Sequence, residues 1–228
     1  SSSELVNQQT YHSATSSYKS LPNYQYKFGR WVKFNQYYHS DGLPKFVSLN
    51  ATNRWSEASN YYRGIPQTIR TPHSASTASK YATRIVDANG WVTTTTDFNG
   101  NKTYYEYDDL GRLTRVDPEN SFWNDTFISY TTASGIEESS VVQSGMLIKT
   151  TTKGNFEKKE YYDGLLRPVL VKQRDISDSS TISFTRTSYN ADNKPTFQSQ
   201  AASNANASYG TSNTYDGLGR VTKSHNNA

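Results

Sequence analysis

The residues nearest to an acid–base arrangement in this chain are the adjacent carboxylates Asp108-Asp109 and Glu137-Glu138. General acid–base work needs two groups converging on one reacting atom, whereas neighbours on a strand point to opposite faces of the sheet. The four histidines, His12, His39, His73 and His225, show no spacing that suits a metal or a catalytic triad. Serine is abundant but sits in no Gly-x-Ser-x-Gly elbow, and the glycines form neither a Gly-x-Gly-x-x-Gly turn nor a phosphate loop. With no cysteine there is no disulfide framework and no thiolate metal site. The residue chemistry therefore points to a protein that is not an enzyme and carries no cofactor.

Twenty-four basic against 20 acidic residues leave a net charge of +4, which with many aromatics invites a nucleic-acid reading. Tracking phosphates needs a stripe of one sign. Here Arg112 and Arg115 stand beside Asp108, Asp109, Asp117 and Glu119, and Lys153, Lys158 and Lys159 beside Glu157 and Glu160. No nucleic-acid partner is expected. Trp31, Trp55, Trp91 and Trp123 are the candidates for stacking on a ligand, which would make the chain an extracellular module binding carbohydrate or a cell-surface protein. Packing on a sheet is the plainer reading of the same rings.

The elements that must position these groups are announced by repetition. Tyr107-Asp108-Asp109-Leu110-Gly111-Arg112-Leu113-Thr114 and Tyr215-Asp216-Gly217-Leu218-Gly219-Arg220-Val221-Thr222 spell one phrase, Tyr-Asp-x-x-Gly-Arg-(Leu/Val)-Thr. Tyr162-Asp163-Gly164-Leu165-Leu166-Arg167-Pro168 is a third copy. Aligned on the glycine position, Gly42, Gly64, Gly90, Gly111, Leu166, Asn193 and Gly219 recur at steps in the twenties, with one double-length gap after Gly111. A degenerate copy at Gly135 is expected in that gap.

A three-residue hairpin loop, a type I turn closed by a left-handed glycine, makes the flanking residues direct partners. Asp109-Leu110-Gly111 fits that loop, placing Asp108 opposite Arg112 and Tyr107 opposite Leu113. Asn193 tolerates the left-handed region, but Leu166 does so only at a cost, so a different turn is expected at 163–166. Asn99-Gly100, between Val92–Phe98 and Asn101–Tyr107, reads as a two-residue hairpin pairing Asp97 with Lys102, Thr94 with Tyr105 and Val92 with Tyr107. A second hairpin runs from Met146–Thr152 through Lys153-Gly154-Asn155 to Lys158–Tyr162.

Only 33% of the residues are hydrophobic and the mean hydropathy is −0.83, poor for a sealed core, yet 14% are aromatic, led by 18 Tyr. Tyrosine has an apolar body and a wet tip, which suits a partly solvated sheet. The fold class is all-β, a meander of long antiparallel hairpins in a curved repeat sheet. No apolar run reaches the ~18 residues of a membrane span, and Ser1–Leu5 lack the features of a signal peptide.

The period and the Tyr-Asp-x-x-Gly-Arg phrase resemble the Rhs family, also called YD-repeat proteins. The likeness is carried by Tyr107–Thr114 with Asp117-Pro118, by Tyr215–Thr222, and more weakly by Asp87–Thr93 and Tyr162–Arg167. On this resemblance residues 37–228 are repeat and residues 1–36 a lead-in. It implies a strip that winds into a hollow shell around a toxic carboxy-terminal domain, as in polymorphic toxins and insecticidal toxin complexes, with secretion or display on a bacterial cell surface. The partners implied are the remainder of a longer chain and the enclosed toxin. The family's closing Asp-Pro-x-Gly-type segment is not in this sequence, so the piece is expected to belong to the wall. A segment cut from such a wall carries raw edges and is expected to self-associate through them.

Overall fold

β-Branched and aromatic runs such as Val92–Thr96 and Lys102–Tyr107 favour strands, because their side chains pack well on a pleated, half-buried surface. Lys102–Tyr107 alternates exposed and half-buried residues with a strict period of two. The computed structural model describes residues 7–27, 30–48, 54–72, 79–135, 138 and 141–227. Its regular elements are all strands. They divide into two units, Ser1–Glu106 with Pro118–Phe122, and Tyr107–Asp117 with Trp123–Ala228. The boundary expected between residues 36 and 37 falls inside a strand, Arg30–Tyr38.

The first unit holds β1 (Asn7–Tyr11), β2 (Pro22–Lys27), β3 (Arg30–Tyr38), β4 (Pro44–Ser48), β5 (Trp55–Tyr62), β6 (Ile65–Pro72), β7 (Ser79–Val86), β8 (Val92–Thr96) and β9 (Lys102–Tyr107). Each pairs antiparallel with the next. One residue per strand lines up across β3 to β7: Tyr37 faces Phe46, Phe46 faces Glu57, Glu57 faces Arg70 and Arg70 faces Tyr81.

The second unit holds β10 (Leu113–Pro118), β11 (Thr126–Thr132), β12 (Leu147–Lys153), β13 (Phe156–Tyr162), β14 (Pro168–Asp175), β15 (Asp178–Tyr189), β16 (Pro195–Ser199), β17 (Gly210–Tyr215) and β18 (Val221–Asn227). These too pair consecutively and antiparallel. Its core sits on one face, where Ile148 faces Tyr161 and Tyr161 faces Leu170. Two loops fold over that face, bringing Ala133, Val142 and Ala205 onto Ile148, Tyr161, Leu170 and Phe184. Paired bonds between Phe184 and Ala202, 2.8 and 3.0 Å, clamp the second loop. A polar strut completes the lid, with Lys172 Nζ donating to Glu138 Oε1 at 2.6 Å.

Four expectations are corrected. Asn99-Gly100 does not make a two-residue turn: Asp97 N–H donates to Asn101 O and Gly100 N–H to Asp97 O, so the loop is the same three-residue type as at Asp108. The register is therefore Thr94 to Tyr104 and Thr96 to Lys102, one residue off, and every side chain of β9 changes face relative to the expected pairing. The reason is Asp97, whose carboxylate caps the five-residue turn and outcompetes the local Asn-Gly preference. Conversely Gly64 belongs to a true two-residue turn, Arg63-Gly64, with φ of +50° and +77° between paired Tyr62 and Ile65.

Leu166 takes the same turn as its glycine counterparts, at φ +59°. Strain of about 1–2 kcal/mol is expected there, and the turn persists because Asp163 and Arg167 hold it from both ends. Leu166→Gly is accordingly expected to raise stability by about 0.5–1 kcal/mol, since the residue is 68% exposed and loses little packing. Chemical denaturation checks this; a lower midpoint would mean that the leucine is not strained. Finally, Gly135 does not cap a repeat hairpin. It lies in the lid loop, where the Ala133 N–H bonds Met146 O and the Gly145 N–H bonds Ala133 O.

Candidate functional site: the turn ladder

Seven five-residue turns, 39–43, 87–91, 97–101, 108–112, 163–167, 190–194 and 216–220, share one backbone pattern. The first residue's N–H donates to the fifth carbonyl and the fourth N–H to the first carbonyl, all within 2.8–3.2 Å. The fourth position is left-handed in each, at φ between +59° and +90° for Gly42, Gly90, Gly100, Gly111, Leu166, Asn193 and Gly219. Glycine is preferred there because it alone pays no Cβ penalty.

The motif's aspartate works on both ends of the turn. Asp108 Oδ1 accepts the N–H groups of Leu110 (3.0 Å) and Arg112 (2.9 Å), and Oδ2 accepts Arg112 Nε at 2.7 Å. Asp163 does the same to Leu165, Arg167 and the Arg167 Nε, and Asp216 to Leu218, Arg220 and the Arg220 Nε. Asp87, Asp97 and Asn190 keep the two backbone bonds where arginine is replaced by Trp91, Asn101 and Lys194. Thus Asp108 pairs with Arg112 within its own turn, and the adjacent Asp109 is an exposed turn residue with no shared task. Just beyond most of these turns the register slips by one, as at Tyr161/Tyr162 and Thr214/Tyr215, where Tyr162 faces Pro168 and Tyr215 faces Val221.

Tyrosine and arginine also act between copies, which one copy read alone does not reveal. Arg112 lies over Tyr130 at 4.3 Å, Arg167 over Tyr189 at 4.7 Å and Lys194 over Tyr215 at 5.4 Å. The tyrosine hydroxyl then closes on the residue after the turn: Tyr189 donates to Pro168 O at 3.1 Å and Tyr215 to Pro195 O at 2.8 Å. Tyr38 to Pro22 O and Tyr61 to Pro44 O repeat this in the first unit. Neighbouring tips are tied as well, with Arg167 Nη1 donating to Asn190 O and Asn193 Oδ1, and Lys194 Nζ to Gly219 O. Proline fits the strand start because its missing N–H is not needed while its carbonyl is.

The turn carboxylates titrate low. Hydrogen bonds from the Arg220 backbone and guanidinium hold Asp216 below the ordinary aspartate range, and the Asn101 side-chain amide does so for Asp97. At Asp108 and Asp163 partial burial opposes ionisation, and the bonds from Arg112 and Arg167 outweigh it. Depressed folded-state values mean stability present above the unfolded aspartate value of about 3.9 and lost as pH falls through the lower folded values. Thermal melts are expected to be flat between pH 7 and 5 and to drop steeply below pH 4. An unchanged melt at pH 2.5 would show that the turns are held by backbone bonds alone.

The tryptophans are not brought together. The side chain of Trp31 lies outside the described residues, as does His73. Trp55 stacks on Phe46 at 5.7 Å and under Arg70 at 5.3 Å, within the cross-strand line of the first unit. Trp91 closes the 87–91 turn, donating its N–H to Asp87, and Trp123 is 62% exposed near Lys153 Nζ. His12 and His39 donate through Nε2 to the carbonyls of Gln36 and Ala58, and His225 is exposed on β18. Among the described residues no three His, Asp or Glu side chains gather as a metal site.

Residues 86–121, which span the 87–91, 97–101 and 108–112 turns, match the RHS repeat. Residues 86–121 therefore carry the repeat of that family. Solved structures agree in fold. The chain aligns with a Photorhabdus luminescens Tc holotoxin pore at a TM-score of 0.60 and 14% identity, over 96% of this chain and 12% of that one. It aligns with the TcdB2–TccC3–Cdc42 crystal structure at 0.63 and 15%, and with TcdB2–TccC3 at 0.62 and 15%, again over 96% and 12%. The chain therefore spans about an eighth of the length of those chains. No curated protein matches it.

Proposed function

We propose that this chain belongs to the Rhs, or YD-repeat, family and is a non-enzymatic wall segment of a shell that encloses a toxin or effector for secretion. The observation that carries the reading is the turn ladder. Its aspartates hold each turn while Arg112, Arg167 and Lys194 reach the tyrosine of the next strand-ending copy, as a wall built from many moderate contacts requires. Alignment of nearly the whole chain with Tc toxin structures supports the same reading. Residues 37–228 are then the repeat wall and residues 1–36 its lead-in. The test is protease protection in the full-length gene product: the cargo segment is expected to survive digestion that destroys it when expressed alone. Equal digestion rates would refute enclosure.

One observation favours a second reading, a carbohydrate-binding surface. Tyr37 and Tyr81, 42% and 53% exposed, flank the Phe46–Trp55 stack, and Tyr18, Tyr37, Lys45, Phe46 and Glu57 line an open hollow of about 280 Å³. Aromatic floors with polar rims suit the amphipathic faces of sugars. Glycan-array binding that Trp55→Ala abolishes would favour this reading; silence on the array would remove it.

A further inference from the structure

We propose that the hollow lined by Tyr18, Tyr37, Lys45, Phe46 and Glu57 in the first unit is a binding site for a trimethylammonium zwitterion of the phosphocholine type. The inference goes beyond the sugar reading of this hollow and stands apart from it, because a neutral sugar offers the two charged side chains no opposite charge.

The walls are aromatic and inclined to one another. The loop between β1 and β2 is folded back on itself, with the His12 N–H on Leu21 O and the Leu21 N–H on Tyr18 O, both at 3.0 Å, and it brings Tyr18 onto the end of β3. There the Tyr18 and Tyr37 rings lie 6.1 Å apart at 65°, and Tyr37 and Phe46, paired across β3 and β4, lie 6.0 Å apart at 44°. Rings so inclined make a concave wall, and their faces carry the negative potential that attracts a quaternary ammonium. His12 packs on Tyr18, Tyr37 and Tyr38 at 5.3, 6.4 and 6.2 Å and bonds Gln36 O through Nε2 at 2.6 Å, which fixes the wall in advance. Tyr38, Tyr61, Tyr189 and Tyr215 donate their hydroxyls to proline carbonyls, whereas among the described residues those of Tyr18 and Tyr37 make no hydrogen bond. Their donors are open to a ligand.

Charge selects the ligand. Glu57 faces Phe46 across β4 and β5, and its ion pair with Arg70 Nη1, at 3.4 Å, is longer than the about 2.7–2.9 Å of a charge-assisted bond. The carboxylate can therefore take a second cation. The same face already holds one in this way, since Arg70 lies over the Trp55 and Tyr81 rings at 5.3 and 5.8 Å beside that carboxylate. A bare ammonium in the hollow would be opposed by Lys45, which is exposed and makes no ion pair among the described residues. A phosphate on a short tether from the ammonium turns that opposition into attraction. The volume, about 280 Å³, lies just under the roughly 300–1,000 Å³ of sites for drug-sized molecules and suits a headgroup.

The probe is phosphocholine titrated into the isotope-labelled full chain. Saturable amide shifts at Tyr18, Tyr37, Phe46 and Glu57 are expected, with choline binding more weakly than phosphocholine. The phosphate ester of choline's uncharged tert-butyl analogue, which has carbon in place of the ammonium nitrogen, is expected to bind about three- to thirtyfold more weakly, the range of a cation–π contact. Glu57→Gln is expected to weaken phosphocholine about two- to fivefold, and Lys45→Ala to bring it down to the level of choline. Unchanged amide positions over β8 and β9 show that these variants keep the fold. Co-sedimentation with phosphatidylcholine vesicles that free phosphocholine reverses assigns the headgroup to a lipid surface; binding without co-sedimentation assigns it to a soluble molecule, and either upholds the site. No shifts at millimolar phosphocholine, equal affinity for the uncharged analogue, indifference to Glu57→Gln, or a Lys45→Ala chain that still prefers phosphocholine to choline would each overturn the proposal. Silence on a glycan array touches none of these outcomes.

Discussion

Leu170→Ala is expected to destabilise the second unit by about 2–5 kcal/mol. Leu170 is 0% exposed, faces Tyr161 across the β13–β14 pair, and lies under the lid loops that carry Val142 and Ala205. Neighbouring strands are hydrogen-bonded to a fixed spacing, so the cavity cannot collapse. Urea denaturation with far-ultraviolet circular dichroism would measure the loss. A change below about 1 kcal/mol would show that the lid is not packed as described.

Gly210→Val is expected to cost about 1–3 kcal/mol through a different mechanism, overpacking against backbone. A Cβ at this position would lie 2.6 Å from Ser199 Cα and would also meet the Gln198 carbonyl group. Backbone cannot rotate away as a side chain can. The consequence is local: amide protection should fall in β16, β17 and β18 while the Leu170 core keeps its own. Gly217→Val is the control, since a Cβ there meets nothing within 4 Å. Equal behaviour of the two variants would mean that β16 and β17 are not in contact at Gly210.

What the sequence determined by itself is local. The phrase Tyr-Asp-x-x-Gly-Arg encodes a complete five-residue turn, because the aspartate carboxylate, the left-handed glycine and the arginine all act within four residues of one another. Strand content and the Asp108–Arg112 pairing were legible for the same reason. At Asn99-Gly100 two local signals compete, and Asp97 prevails because it brings both backbone bonds of a cap, which the dipeptide preference lacks. At Leu166 the left-handed backbone is strained, but Arg167, with its bonds to Asp163 in its own turn and to Asn193 in the next, holds the turn against it.

Only the tertiary structure decided what lies across the strands. Nothing near Arg112 in sequence indicates that Tyr130 is its ring, since the pairing depends on the length and register of everything between them. The lid over Leu170 comes from loops that carry no repeat signal, and the Lys172–Glu138 strut joins residues 34 positions apart in sequence. Turn chemistry is short-ranged and survives in the one-dimensional pattern. Packing between copies is set by strand spacing and by the loops that fold onto a face, which no single copy encodes.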